Sequence, residues 1–299
     1  MTRSSDVRGL IPVLATPFTA TGDLDAASLN RLVEFQITAG VDGVAVFGFA
    51  SEGFSLTAAD RKEILRTVTA AAGPSLPIVA GVAATGTQDA IDQVRAAAEH
   101  GASVVMVVPP FMVKPSPAQL VDFYGRVAAE GGLPVMIQDA PGSTGVTMPV
   151  PLITELSKLD GVDSVKIEPQ PTTPKVGAIR AATAPDFVVL GGQNALFVLE
   201  EYARGAEGTM PACEFPDLLA PVLRQWQAGE TAAARGSFAR LLPLIRFGLQ
   251  PGIAWSIHKH VLVRRELITS SAVRPPAVDA DAATLAWLDD ILRDLGLLR

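Results

Sequence analysis

The chain has 299 residues, room for two domains or for one large α/β barrel with an extension, and for a sizeable core in either case. Lys and Arg number 24 against 31 Asp and Glu, a formal charge of −7, and charged residues make up 18% and hydrophobic ones 48%. That balance excludes a disordered chain and a basic nucleic-acid-binding surface, and it means that a small acidic metabolite has to be captured by local groups against the net charge.

Short β-rich runs alternate with helical periods from the first residues to about position 211, the pattern of a parallel α/β fold. The runs predict eight strands, at 10–16, 43–47, 78–82, 103–108, 134–138, 164–167, 187–190 and 208–210. Several, such as SVVMVV, are continuously apolar, as strands buried on both faces are. Glycine recurs between the end of a helix and the next strand in AGVDGV, EHGASV, EGGLPV, LDGVDSV and RGAEGT. Ser116-Pro117-Ala118-Gln119 predicts a capping box with proline at the first helical position, and Thr57 with Asp60 a weaker one. Eight such βα units close most naturally as a (β/α)8 TIM barrel. After Met210 only helical patterns follow, at 217–228, 231–247, 253–264 and 279–297, with turns at 248–252 (GLQPG) and 274–277 (RPPA). The first completes the barrel, residues 1–228, and the rest form a helical C-terminal extension, residues 229–299.

Cys213 is alone, which excludes a disulfide framework and a cysteine-based metal cluster and fits a reducing compartment. The histidines are His100, His258 and His260; none forms HExxH, and the i, i+2 spacing of the last two points their rings apart on what reads as an exposed helix, so no metal is expected. No charged-then-apolar leader opens the chain, and no apolar run approaches the roughly 20 residues of a membrane span. The expectation is a soluble, cytoplasmic protein with neither a nucleic-acid nor a membrane partner.

Of the six lysines, Lys62, Lys158 and Lys259 fall in helical patterns, and Lys114 and Lys175 in or beside loops. Lys166 differs, because it lies within the sixth β run, Val162-Asp163-Ser164-Val165-Lys166-Ile167. Alternation puts Val162, Ser164, Lys166 and Glu168 on one face and Val165 and Ile167 on the other. If the apolar pair meets the helices, Lys166 and Glu168 point into the barrel near the strand's C-terminal end, where barrel enzymes keep their active sites. A buried amine loses solvation of its charged form and becomes available as a nucleophile that condenses with a ketone. A structural Lys166–Glu168 ion pair, or a lysine reaching the rim, satisfies the pattern as well.

The order of segments resembles the dihydrodipicolinate synthase and N-acetylneuraminate lyase family of Schiff-base lyases over essentially the whole chain. Gly9-Leu10-Ile11-Pro12 through Ala15-Thr16-Pro17-Phe18 is similar to the family's first strand, and Gly48-Phe49-Ala50-Ser51-Glu52 stands at its substrate-carboxylate loop, normally GTTGE or GSTGE. Gln138-Asp139-Ala140-Pro141 with Thr144-Gly145 stands where YNxPxxTG is expected, Lys166 where the family has its imine-forming lysine, and Gly205 to Met210 resembles the eighth-strand segment. The resemblance implies a covalent lysine imine with no cofactor, a small 2-oxo acid as partner, and a homotetramer built from dimers. Five positions depart from the pattern: Gln138 replaces the proton-shuttling tyrosine, Phe49 and Ala50 the loop threonines, Met112 the cross-interface tyrosine, and Ser143 an arginine. These departures argue against dihydrodipicolinate synthase activity, while the FxSEGF, QDAP and GTMP segments look most like the 2-keto-3-deoxy-L-arabonate dehydratase subgroup.

On that resemblance Lys166 captures the C2 ketone of a 2-oxo-3-deoxy sugar acid, and the iminium acidifies C3. A carboxamide cannot titrate, so Gln138 orients a substrate without taking the C4 hydroxyl proton that retro-aldol cleavage needs, and loss of water is favoured over cleavage to pyruvate. Glu168 is the first candidate for proton transfer and Glu52 the second. Ser51 and the Ala50 N–H are expected to hold the substrate carboxylate, with Gly192 and Met210 lining the pocket. Asp139, on the opposite face from Gln138, is expected to bond toward the helices. The competing readings are a pyruvate-releasing aldolase and a barrel that binds 2-oxo acids without turnover.

Overall fold

The computed structural model describes residues 7–298. Its strands are β1 (Gly9–Leu10), β2 (Val44–Val46), β3 (Ile78–Val82), β4 (Val104–Val107), β5 (Val135–Asp139), β6 (Val162–Ile167), β7 (Val188–Gly191) and β8 (Gly208–Thr209). They pair in parallel in the order β1-β8-β7-β6-β5-β4-β3-β2. The remaining seam closes just beyond β1, where Val13 bridges Ala45, the Leu14 N–H donates to the Ala45 carbonyl at 2.8 Å, and the Ala45 N–H donates to the Pro12 carbonyl at 2.8 Å. The sheet is therefore a closed (β/α)8 barrel, the architecture that eight βα units predict. Its first strand is much shorter than the run at 10–16 because Pro12 has no N–H to continue the ladder, and Pro211 likewise stops β8 before Met210.

Among the described residues the helices are α1 (Ala26–Ala39), α2 (Ala58–Ala72), α3 (Thr87–Glu99), α4 (Pro117–Gly131), α5 (Pro141–Thr144), α6 (Val150–Leu156), α7 (Thr172–Ala182), α8 (Val198–Tyr202), α9 (Pro216–Gln227), α10 (Thr231–Phe247), α11 (Ala254–Arg264) and α12 (Ala282–Asp294). Both predicted capping boxes form: the Ser116 and Thr57 hydroxyls accept from the Gln119 and Asp60 N–H groups, and each partner side chain bonds back to the cap N–H. The glycines that punctuate the chain before β2, β4, β5, β6 and β8, namely Gly40, Gly101, Gly132, Gly161 and Gly205, all have φ between 74° and 94°, where a Cβ is strained. The last helix starts at residue 282 instead of 279, because the Asp281 side chain caps it by accepting from the Thr284 N–H at 2.7 Å. No helix among the described residues is long and apolar enough to cross a membrane.

Strand alternation sorts the core into two layers. Ile11, Ala45, Val79, Met106, Met136 and Leu190 belong to the cluster that fills the barrel, whereas Val46, Val105, Ile137, Val165 and Ile167 join the larger cluster beneath the helices. The sixth strand departs from simple alternation. Val135 pairs with Val162 but Met136 with Ser164, so one extra residue of β6 is inserted at Asp163. Val162 is thereby carried to the helix layer, contrary to the expected face, while Ser164 and Lys166 keep theirs.

Candidate active site

Pairing aligns Gln138 of β5, Lys166 of β6 and Leu190 of β7 side by side on adjacent strands of the barrel wall. Lys166 is only 6% exposed, and its Nζ lies 3.0 Å from Glu168 Oε1. The same oxygen accepts a hydrogen bond from Gln138 Nε2 at 3.0 Å, so one carboxylate oxygen joins the amine and the carboxamide. Glu168 stands just past the end of β6, anchored by its N–H on the Asp139 carbonyl at 3.1 Å. Gly192 leaves the space they occupy: a Cβ there would lie 2.6 Å from Glu168 Cγ and 3.1 Å from Lys166 Cε.

Above this group opens a cavity of about 320 Å³ at the C-terminal ends of the strands. Lys166, Glu168, Ala50, Met210, Ser143 and His258 are among its lining residues. The turn that brings Ala50 there is sharp: Phe47 adopts φ 62°, and its carbonyl oxygen comes so close to Gly53 and Gly81 that a Cβ would meet it at 2.4 and 2.5 Å. Neither glycine stands out in the sequence, because the contact that requires each is tertiary. Ser51 is buried and does not line the cavity; its carbonyl accepts from Thr16 Oγ1 at 2.7 Å and its Oγ has no protein partner.

Glu52, the second candidate for proton transfer, is displaced from the chemistry. It is fully buried outside the cavity lining, ion-paired with Lys259 of α11, and accepts from the Arg274 N–H at 2.9 Å. Lys259, which the sequence places only in a helical pattern, is thus an internal cation; burial pulls its ammonium down to about 8, against the attraction of Glu52. Lys259 Nζ and the Arg274 guanidinium both pack on the Phe18 ring, at 4.1 and 4.2 Å from its centroid. This cluster ties the C-terminal segment to the loop that presents Ala50. Asp139 faces the helices as expected, paired with Lys175 at 2.5 Å, and burial holds its carboxyl above the usual range despite that cation. Lys175 therefore lies in the first turn of α7, beside the preceding loop, and in an ion pair, and Lys114 Nζ donates to the Phe111 and Thr144 carbonyls at 2.9 and 2.7 Å.

The late histidines also correct the sequence reading, since neither is exposed. His260 Nε2 meets Asp279 Oδ1 at 2.9 Å, and His258 is buried with Nδ1 2.7 Å from Glu214 Oε1. The helix that carries them is covered on several sides, by the barrel mouth and by α12, so amphipathic reasoning for a one-faced helix misplaces both rings. Gln138 stands beside the cavity lining, joined to it through Glu168, and Gly192 backs Lys166 and Glu168.

Comparison with known proteins identifies the family and the fold. The family model for the dihydrodipicolinate synthetase family matches residues 6–295. A 4-hydroxy-tetrahydrodipicolinate synthase of Stenotrophomonas maltophilia (strain R551-3) is 33% identical over 293 residues, covering 94% of this chain and 97% of the relative. An L-2-keto-3-deoxyarabonate dehydratase of Azospirillum brasilense is 32% identical over 303 residues, covering 99% of this chain and 97% of the relative. The crystal structure of a dihydrodipicolinate synthase from Rhodopseudomonas palustris superposes with a TM-score of 0.91 at 28% identity, covering 97% of this chain and 98% of that one.

Proposed function

The chain belongs to the dihydrodipicolinate synthetase family, and on that premise we propose that it is a Schiff-base lyase that removes water from a 2-oxo-3-deoxy sugar acid of the 2-keto-3-deoxy-L-arabonate kind. The observation that carries the reading is the contact of Lys166, Glu168 and Gln138 at the barrel mouth. Glu168, 3.0 Å from Nζ, takes one proton from the Lys166 ammonium so that the amine adds to the C2 ketone; a second nitrogen proton passes to the alkoxide, and Glu168 returns its proton to the resulting hydroxyl, which departs as water and leaves the iminium. The iminium is the electron sink, so the reaction needs no cofactor. Glu168 then takes a C3 proton to give the enamine, from which the C4 hydroxyl is expelled. The Phe49–Ser51 turn puts Ala50 in the cavity wall, where its backbone N–H is the group that holds the substrate carboxylate.

Synthesis of dihydrodipicolinate is the weaker reading because Gln138, Ser143 and Met112 leave the pocket without a titrating hydroxyl or an arginine at those positions. A homotetramer, expected by resemblance, is consistent with Met112 and Val113 being 74% and 70% exposed on a single chain. A cytoplasmic location completes the proposal.

The test is borohydride reduction in the presence of 2-keto-3-deoxy-L-arabonate, followed by mass spectrometry of the adduct and analysis of the product. A reduced adduct on Lys166 and a dioxo acid without pyruvate support the reading. Pyruvate as the product makes the protein an aldolase, and trapping without turnover of any 2-oxo acid makes it a binding protein. A Lys166→Arg variant that retains full turnover refutes the mechanism altogether.

A further inference from the structure

The lining of the 320 Å³ cavity contains three titratable side chains among the described residues: Lys166, Glu168 and His258. The first two are engaged with one another at 3.0 Å. His258 enters from α11, in the helical extension, and is fixed from behind: its Nδ1 is 2.7 Å from Glu214 Oε1, and Glu214 is 1% exposed, with its other oxygen lacking a hydrogen-bond partner. Arg265 secures the Glu214 backbone by donating to its carbonyl, and pairs with Asp217 Oδ2 at 2.6 Å. The ring packs against Gly248, where a Cβ would come within 2.7 Å of His258 Cε1 and 3.3 Å of Asn194 Nδ2. Asn194 in turn accepts from the Ala212 N–H at 2.9 Å and donates to the Ile245 carbonyl at 3.2 Å, clamping the loops after β7 and β8 to α10. The arrangement is that of a carboxylate-oriented imidazole whose second nitrogen, Nε2, has no hydrogen-bond partner among the described residues.

We infer that His258, oriented by Glu214, is the acid that protonates the departing hydroxyl and the base that then takes a C5 proton. The inference rests on the dehydratase reading, and it supplies what Gln138 cannot. In the enamine, the nitrogen lone pair re-forms C=N⁺, the C2=C3 pair moves to C3=C4, and the C4–O bond breaks with its electrons on oxygen. That oxygen takes the Nε2 proton and leaves as water. Neutral His258 then removes a proton from C5, giving a dienamine that regains its C3 proton from Glu168; the resulting enol tautomerises to the aldehyde, and hydrolysis of the imine by water frees Lys166. Both groups end in their starting protonation states, and the net change is loss of one water.

Two readouts on the full chain separate acid catalysis from a structural role. C3 deuterium exchange in the 4-deoxy analogue, 5-hydroxy-2-oxopentanoate, needs Lys166 and Glu168 but no leaving group; dehydration of 2-keto-3-deoxy-L-arabonate needs the acid as well. His258→Gln is expected to keep the exchange rate and lose about 10²-fold or more in dehydration, with a smaller loss in Glu214→Gln, which keeps a hydrogen-bonding side chain on Nδ1 without its charge. Dehydration by His258→Gln at the parental rate, or exchange and dehydration falling together, overturns the inference. Absence of both exchange and borohydride adduct in the unaltered chain instead refutes the Lys166 reading, and pyruvate as its product refutes the water-loss reading, each taking this inference with it.

Discussion

Glu201 of α8 offers the sharpest test of the energetics. It is fully buried, both carboxyl oxygens lack a well-placed donor, and Oε2 presses on β7 so closely that a Cβ on Gly191 would stand 1.8 Å from it. Burial lifts its carboxyl from 4.5 to about 7, despite the nearby Thr172 hydroxyl. Below pH about 4.5 the group is protonated in both folded and unfolded chains. Between about 4.5 and 7 the unfolded chain releases the proton and the folded one keeps it, so stability falls as pH rises, and above about 7 the full penalty is present. The rise from 4.5 to about 7, at about 1.4 kcal/mol per pH unit, amounts to about 3 kcal/mol. Glu201→Gln cannot ionise, so its stability relative to the parent should climb by about that amount between pH 4.5 and pH 8 in denaturant unfolding. A constant offset from the amide's own hydrogen bonding cancels in that comparison. Parallel pH profiles for the two proteins would refute the argument.

Lys259→Met removes the cation facing Glu52 and should lower stability by about 3 to 5 kcal/mol, whereas adding Glu52→Gln should recover much of the loss, both read by thermal unfolding. Gln138→Ala deletes the donor to Glu168 and should reduce kcat about tenfold while borohydride trapping on Lys166 persists. Gly192→Ala drives a methyl group into Glu168 Cγ and against Lys166 Cε; the steady-state rate should fall far more than the melting temperature, and an active Gly192→Ala protein would contradict the packing described.

The barrel and its lysine were legible because both depend on short-range periodicity. Two-residue alternation places Lys166 on the inner face, and the glycine before each of five strands marks a backbone conformation that the sequence announces locally. The extra residue at Asp163 was not legible, since an insertion in one strand shows only against its partner's register. Glu52 reads like a catalytic acid beside the carboxylate loop until Lys259 and Arg274 arrive from the far end of the chain to claim it. His258 is hidden for the same reason: its partner Glu214 follows β8, and nothing in the helical pattern around it distinguishes a solvated ring from one turned into the barrel mouth.

The dependence of the mouth on α11 and on Arg274 bears on how the protein is born. A ribosome releases β6, with Lys166, well before it releases the imidazole and the two cations that finish the wall and brace the loop after β2. A nascent barrel emerging from the exit tunnel therefore presents an unfinished pocket, and its wall is complete only with the final stretch of translation, even if its eight strands have already closed.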